Sequence, residues 1–180
     1  MKKRVGSVLL AAGLVVVAIG LVTTLVVTKH RKEKDFYVKP TITAEQAISA
    51  AKAALPKLAA GKSFVKTGKK GEKKLEVPLV LDGKIVSRVR LNPATGEILP
   101  EGQEAPAYEV SASQEQAVKI VQQAIPNLEA ASVKLGKHGE WKVDLTLKKA
   151  VVAGISVHGG DASILLDGKA SRDASRLLPG

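Results

Sequence analysis

The chain has 180 residues and a formal net charge of +11; 45% of its residues are hydrophobic, and it contains no cysteine. The apolar content can supply a folded core and argues against wholesale disorder. The lack of cysteine excludes disulfide bonds, thiolate metal sites and cysteine nucleophiles. Aromatic residues make up only 3% of the chain, so a base-stacking surface is poorly supplied and nucleic acid is not expected as a partner.

An apolar segment near the N-terminus predicts a membrane anchor. Residues 5–27 carry no charged side chain, and a helix of that length can cross a hydrocarbon core of about 30 Å. The segment is longer than the apolar region of a cleaved signal peptide, and no Ala-x-Ala site follows it. We therefore expect residues 1–34 to form an uncleaved signal-anchor with basic flanks, a cleaved signal peptide being the alternative.

The short basic N-terminus favours an orientation with the N-terminus inside. Three basic residues precede the span and four follow it, so the positive-inside comparison alone is close to a tie. We expect a single-pass protein of the cytoplasmic membrane with residues 35–180 extracytoplasmic. Residues 35–180 hold 21 basic and 16 acidic residues, a net charge of +5, which is ordinary for a soluble domain and weakly favours acidic partners.

The rest of the sequence contains a duplicated segment. Residues 43–58 align with residues 113–128, and the two segments share Glu, Gln, Ala and Pro at corresponding positions. Each begins with a hydroxyl residue followed three positions later by Gln, the capping-box pattern of a helix start. Apolar residues then recur at helical spacing until a proline ends the helix. The capping pairs are Thr43 with Gln46 and Ser113 with Gln116, and the prolines are Pro56 and Pro126.

Strand patterns follow both helices. Apolar and polar residues alternate over several short segments, and the Asp-Gly pair at residues 82–83 predicts a hairpin turn. Pro78 cannot donate to a sheet and is expected at an edge or a bulge. The predicted strands are residues 63–66, 75–81 and 85–91 in the first copy and residues 132–135, 141–147, 151–157 and 162–166 in the second.

These elements predict an α+β fold with two tandem units behind one transmembrane helix. Each unit is expected to be an α-helix packed on a small antiparallel β-sheet. The boundaries are 35–100 for the first unit, 101–110 for a linker, and 111–180 for the second, more divergent unit.

The arrangement resembles the PepSY family, the peptidase propeptide and YpeB-type domain. The resemblance rests on the helix entry ITAEQA at residues 42–47, on the alternating strand at 75–81, and on VRLNPATGEIL at 89–99. The last segment is similar to the closing V-D-x-x-T-G-x-V-L of the family, with Asn92 in place of Asp. The second copy matches at its helix and at residues 162–167, and its closing turn is expected at residues 168–171, without Thr-Gly.

The resemblance implies a secreted or membrane-anchored module without catalytic residues of its own. Members of the family occur in protease propeptides and are proposed to inhibit, chaperone or modulate peptidases near the cell wall. We therefore expect a non-enzymatic interaction module of the cell envelope, with a peptidase or another envelope protein as its partner. The sign of such regulation is left open.

A cluster of lysines gives an alternative function. Five lysines surround a predicted hairpin and form a candidate patch for anionic partners, such as cell-wall polymers or phosphate headgroups. An ordinary solvated loop is the plainer reading of such a charge run. The patch consists of Lys66, Lys69, Lys70, Lys73 and Lys74.

No residues form a convincing catalytic or metal-binding pattern. The three histidines do not have ligand spacing, and the Gly-x-Ser motif around Ser156 lacks the second glycine of a nucleophile elbow. An enzyme that uses Ser156 and His158 stays the third hypothesis. Gly159 and Gly160 are predicted to form a turn instead. No catalytic residue, metal or cofactor is therefore predicted.

Overall fold

The computed structural model describes residues 39–178. The predicted membrane span at residues 5–27, its basic flanks and its orientation lie outside the described residues. Among residues 39–178, no helix has both the length and the apolar character needed to cross a membrane. This part of the chain is an α+β fold with three α-helices and two antiparallel sheets, in agreement with the predicted class.

Helices of equal length begin the two copies: α1 (Ala44–Ala54) and α2 (Gln114–Ala124). In both helices, the hydroxyl of the N-cap residue (Thr43 or Ser113) accepts a hydrogen bond from the N–H of the glutamine three positions later. The side chain of that glutamine accepts a hydrogen bond from the N–H of the N-cap residue. The predicted capping boxes are confirmed, and they satisfy backbone donors that a helix start leaves open. The prolines lie in short 3₁₀ turns (Leu55–Lys57 and Ile125–Asn127), where each α-helix ends.

The first sheet has a long central strand flanked on both sides. Its strands are β1 (Ala59–Ala60), β2 (Phe64–Thr67), β3 (Lys73–Leu81) and β4 (Lys84–Leu91). β4 pairs with one side of β3, and β1 and β2 pair one after the other with the opposite side. Asp82 and Gly83 join β3 to β4 with φ angles of 49° and 76°, which confirms the predicted hairpin turn.

Pro78 lies in the central strand and not at an edge of the sheet. Its carbonyl oxygen accepts a hydrogen bond of 2.8 Å from the N–H of Gly61, so its nitrogen faces the same side of β3. On that side the pairing with β3 is interrupted at residues 61–63, between β1 and β2, where the Gly61 hydrogen bond is retained. The proline therefore loses no sheet hydrogen bond, because its nitrogen faces a gap in the neighbouring strand.

The second sheet repeats the first with one strand fewer. It consists of β5 (Glu129–Leu135), β6 (Trp141–Leu147) and β7 (Ala150–Val157), in that order. The hairpin between β6 and β7 turns at Lys148 and Lys149, whose φ angles of 50° and 69° match those of the first hairpin. β5 occupies the positions that β1 and β2 share in the first sheet.

The duplication extends to the hairpin that precedes each central strand. Residues 68–72 (GKKGE) and 136–140 (GKHGE) form the same turn, in which the first glycine N–H donates to the glutamate carbonyl oxygen. The glutamate side chain also accepts a hydrogen bond from the backbone N–H of the third residue, Lys70 or His138. The turn fixes Lys69 and Lys70 at the tip of the first hairpin.

The closing turn of the second copy is at residues 158–163 and not at residues 168–171, where the sequence predicted it. Bridges pair Leu91 with Ile98 and Val157 with Ile164, so residues 91–98 and 157–164 are equivalent. The predicted strand at residues 162–166 is reduced to the second of these bridges. Where the first turn has glycine at φ 79° (Gly96), the second has Ala162 at φ 61°. This substitution removed the Thr-Gly signal from the sequence.

Residues predicted as the closing turn begin a third helix, α3 (Gly168–Leu177). Asp167 caps it, because its side chain accepts hydrogen bonds from the N–H groups of the second and third helical residues. Ala170 and Ala174 are buried, and α3 packs against β2 and β4 of the first sheet. The Asp-Gly pair that starts this helix is also a turn signal, which is why the prediction missed the helix.

The two copies exchange their helices. α1 of the first copy packs against β5, β6 and β7 of the second sheet, and α2 of the second copy packs against β1 and β3 of the first. The prediction that each helix packs on the sheet of its own unit was therefore wrong. Periodicity shows that a helix has an apolar face, but it does not show which of two similar sheets covers that face.

Hydrogen bonds of the same kind support the exchange in both directions. The N–H groups of Thr41 and Ile42, just before α1, donate to the carbonyl oxygen of Gly159, at 2.8 and 3.1 Å. The N–H groups of Ser111 and Ala112, just before α2, donate in the same way to Pro93, at 2.9 and 3.0 Å. Pro93 and Gly159 are equivalent positions in the two closing turns, so each helix entry is held by the turn of the other copy.

The two sheets also meet along β4 and β7, and they share one apolar core. Ser87 in β4 is buried, and its hydroxyl donates a hydrogen bond of 2.7 Å to the carbonyl oxygen of Gly154 in β7. One face of each sheet supplies this core. The opposite, outer face of the first sheet carries the charged side chains from which the candidate site is built.

Candidate binding groove

A groove of about 960 Å³ lies between the outer face of the first sheet, the hairpin at residues 68–71, and linker residues 104–108. Eight basic and three acidic side chains line it. The eight are Lys66, Lys69, Lys70, Lys73, Lys74, Arg88, Arg90 and Lys169. The structure thus brings all five predicted lysines to one groove and adds two arginines and a lysine that the sequence did not indicate.

The five lysines differ in how far they are already paired. Lys66 lies 2.6 Å from a carboxylate oxygen of Asp173, and Lys74 lies 2.8 Å from one of Glu104. Lys73 donates a hydrogen bond to the hydroxyl of Thr67. Lys69 and Lys70 make no ion pair within residues 39–178. The hairpin tip therefore offers the most accessible positive charge.

The linker places a carboxylate of the chain itself in the groove. The hydrogen bond from Lys74 and the charge of that lysine lower the pKa of Glu104, which stays ionised at neutral pH. The Glu104 side chain is 65% exposed, so solvent screens this contact and it holds weakly. A stronger anionic ligand could replace Glu104 at Lys74 at little cost.

A buried ion cluster forms the floor of the groove. Glu76 in β3 is only 2% exposed, and its carboxylate lies 3.3 Å from Arg88 and 3.9 Å from both Arg90 and Lys66. Asp173 from α3 joins the cluster through Lys66 and through Arg88, at 2.6 and 3.3 Å. The hydrogen bond from Lys66 lowers the pKa of Asp173. These contacts position α3 over the sheet.

Within the described residues, one N–H donor of Arg90 at this floor is not used in a hydrogen bond. Its buried Nε has no hydrogen-bond partner within the described part of the chain, and neither has Oε2 of Glu76, although Arg88 lies 3.3 Å from that oxygen. Three cations face two carboxylates here, so the cluster has room for one further negative charge. A guanidinium fork suits a carboxylate especially well, because it can donate two parallel hydrogen bonds.

The groove also has an apolar wall. It contains an exposed tyrosine, Tyr108, which is 68% accessible and is the largest exposed hydrophobic side chain in residues 39–178. The other apolar residues of the lining are Leu91, Pro93, Leu99, Ala105 and Pro106. A wall of this kind binds apolar or aromatic side chains. The groove therefore suits a ligand that has both acidic and apolar groups.

A second, smaller groove continues from the first. It has a volume of about 380 Å³ and reaches the outer face of the second sheet at Lys134 and Lys142. Arg88, Arg90 and Leu99 line both grooves. Beyond the shared arginines, the lining of this second groove has two lysines and three acidic residues, Glu101, Asp144 and Asp167, so the surplus of positive charge belongs to the first groove.

The sequence indicated only part of this site. Glu76 was a detectable signal, because it is the one acid in an otherwise apolar stretch between Leu75 and Val77. Its partners Arg88 and Arg90 depend on the register of β3 and β4, and Asp173 depends on a helix that the prediction missed. The contribution of Tyr108 depends on the path of the linker, which sequence patterns do not determine.

The residues of the third hypothesis do not form a catalytic arrangement. Ser156 lies in β7, and within residues 39–178 its hydroxyl makes no hydrogen bond to His158, whose Nδ1 instead lies 2.9 Å from Asp161. The hydroxyl of Ser163 donates to the same carboxylate of Asp161. The N–H and hydroxyl of Ser163 lower the pKa of Asp161 to about 2. A nucleophile needs its hydroxyl on the histidine ring. The cluster therefore stabilises the closing turn, as the predicted Gly159-Gly160 turn indicated.

Within residues 39–178, no group of three or more histidine or acidic side chains is placed to hold a metal ion. Comparisons of the chain with protein-family models, with curated proteins and with solved structures give no match.

Proposed function

We propose that the protein is a membrane-anchored, extracytoplasmic interaction module of the PepSY type that binds an acidic segment of a peptidase or another envelope protein. The apolar segment at residues 5–27 supports the anchor, and the helix and closing-turn motifs support the PepSY assignment. The function is non-catalytic: binding inhibits, chaperones or otherwise modulates the partner.

The observation that carries the proposal is that one groove combines the guanidinium of Arg90 with an apolar wall. Arg90 offers a guanidinium at the floor of the groove, with its side chain 33% exposed, and Tyr108 offers an exposed aromatic face in the lining of the same groove. A polyphosphate or a teichoic-acid-like polymer would use the cations but would leave the apolar wall without a ligand. A protein segment with alternating acidic and apolar side chains uses both.

Binding would proceed by exchange of carboxylates. An acidic side chain of the partner replaces Glu104 at Lys74, and a second one receives the hydrogen bonds of Arg90. Lys69 and Lys70 attract the segment over a longer distance, which makes association sensitive to salt. Apolar side chains of the segment then cover Tyr108.

The test uses the full-length chain in a mild detergent and a fluorescein-labelled peptide of alternating glutamate and leucine. We expect Arg90→Gln to weaken binding about tenfold, as the loss of a charge-assisted hydrogen bond predicts. Tyr108→Ala should weaken it as well. The matched control is Lys84→Gln, an exposed lysine outside the groove, which should leave the affinity unchanged.

Two outcomes would contradict the proposal. Unchanged binding by Arg90→Gln would show that the groove floor is not the site. If a long-chain polyphosphate binds as tightly as the peptide and Tyr108→Ala has no effect, the alternative function, binding of anionic polymers or headgroups through the lysines, is favoured. A photo-crosslinking residue at position 108 in cells then identifies whether an envelope protein or peptidase is the partner.

A further inference from the structure

The chain has a first half, up to residue 102, and a second half, from residue 103. The helix exchange makes each half depend on the other half for its core. The inner face of the first sheet, with Leu75, Val77 and Leu79 fully buried, is covered by α2 from the second half. The corresponding face of the second sheet, with Val143 and Leu145, is covered by α1 from the first. Neither half buries its own sheet with its own helix.

Further contacts between the halves point the same way. α3 of the second half covers the outer face of the first sheet, where Asp173 pairs with Lys66 and Arg88. Side chains add reciprocal bonds: Gln122 of α2 accepts a hydrogen bond from the N–H of Ala60, and Ser63 donates to the carbonyl oxygen of Gln114. The halves are therefore joined on both faces of the first sheet.

The covalent connection between the halves is exposed, whereas the contacts between them are buried. Residues 101–104 are all exposed, and Gly102 has a φ of 85°. The backbone of this segment makes few hydrogen bonds to the rest of the fold, one of them from Glu101 to Val151. Exposed loops of this kind are the preferred sites of proteolytic cleavage.

We infer that the first and second halves form an interlocked pair that stays assembled when the chain is cut in the linker at residues 102–103. The binding partner of each half is the other half, and their contact is the shared core of the folded protein. Interfaces that resemble a domain core cut in two are typical of permanent complexes. A cut in the linker by an envelope protease would then leave the second half attached to the anchored first half.

The experiment uses the full-length chain with an N-terminal affinity tag and the recognition site of a sequence-specific protease inserted between Gly102 and Gln103. After complete cleavage in mild detergent, we expect residues 103–180 to stay on the affinity resin through extensive washing at nanomolar concentration. They should elute together with the tagged half only in denaturant. Release of the second half in native buffer would overturn the inference.

A substitution in α2 distinguishes exchanged from unexchanged packing. Val121 is 1% exposed in α2, which lies on the first sheet. In the cut protein, Val121→Ala should therefore speed dissociation of the halves about tenfold or more. Val110→Ala, at an exposed linker position, serves as the control and should not change the rate. If Val121→Ala leaves dissociation unchanged, α2 packs within its own half and the inference is wrong.

Discussion

The indole Nε1 of Trp141 donates a hydrogen bond to the backbone carbonyl oxygen of Ile42, 3.2 Å away. Trp141 begins β6 of the second copy, and Ile42 immediately precedes the N-cap of α1 in the first. The bond therefore joins the start of one copy's helix to the sheet of the other copy. The single tryptophan of the chain is only half-buried, and this bond gives its indole N–H a partner within the fold.

Trp141→Phe should lower the free energy of unfolding by about 1–3 kcal/mol, since it removes this hydrogen bond and part of the ring contact. Urea denaturation followed by circular dichroism measures the change without the tryptophan signal. Tyr108→Phe is the matched control, because Tyr108 is exposed, and it should change stability by less than about 0.5 kcal/mol. Equal effects of the two substitutions would contradict the contact between β6 and the α1 entry.

Asp173→Asn should destabilise the protein by about 1–2 kcal/mol at neutral pH, because it removes a charge-assisted hydrogen bond from Lys66. The folded-state pKa of Asp173 is lowered from 3.8, so its contribution is complete above about pH 5 and is lost as the pH falls below 3.8. The difference between wild type and variant should shrink over that range. A difference that does not change with pH would show that Asp173 contributes by packing alone. Glu109→Gln, an exposed site, is the control.

Ala162→Gly should stabilise the protein by about 0.5–1 kcal/mol. Ala162 has a φ of 61°, a left-handed conformation that is unfavourable for residues with a Cβ atom and free of this cost in glycine. The equivalent position in the first copy is already Gly96. Ala131→Gly, at an exposed position in β5, should lower the melting temperature instead. A loss of stability in Ala162→Gly would argue against the closing turn at residues 158–163.

Gly159→Ala should prevent folding or cost more than about 2 kcal/mol. A Cβ atom on Gly159 would overlap the carbonyl oxygen of Gly139 and would lie 3.3 Å from the Cα of Pro40, so backbone on two sides would have to move. Gly154→Ala, in the β7 strand that precedes the closing turn, is the matched control. Its Cβ would lie 3.6 Å from the Val143 carbonyl oxygen, an ordinary contact, and thermal unfolding should show no loss. Normal stability of Gly159→Ala would contradict the packing of the closing turn against residues 39–42.

Local chemistry explains which parts of the fold could be predicted. A capping box depends on residues three positions apart, and a type I′ turn depends on two adjacent residues, so Thr43, Ser113 and the Asp82-Gly83 turn were read correctly. The strand alternation around Leu75 and Val77 is equally local. Each of these signals acts within a few residues and does not depend on the partner element.

The features that the sequence did not reveal depend on the choice between similar partners. Two amphipathic helices and two similar sheets can pair in two ways, and the apolar spacing in α1 and α2 is compatible with both. Ala162 concealed a turn because it adopts a conformation usual for glycine. The cluster of Glu76, Arg88, Arg90 and Asp173 required both a strand register and a helix that its own Asp-Gly start disguised.

The exchange of helices is the central claim, and one nuclear Overhauser measurement tests it most directly. The chain has one tryptophan, so the full-length protein gives a single indole N–H resonance. With that nitrogen 3.2 Å from the Ile42 carbonyl oxygen, we expect cross-peaks from the indole proton to Ile42 and Thr43. Indole cross-peaks confined to residues of the second copy would contradict the exchange and the interlocked pair inferred from it.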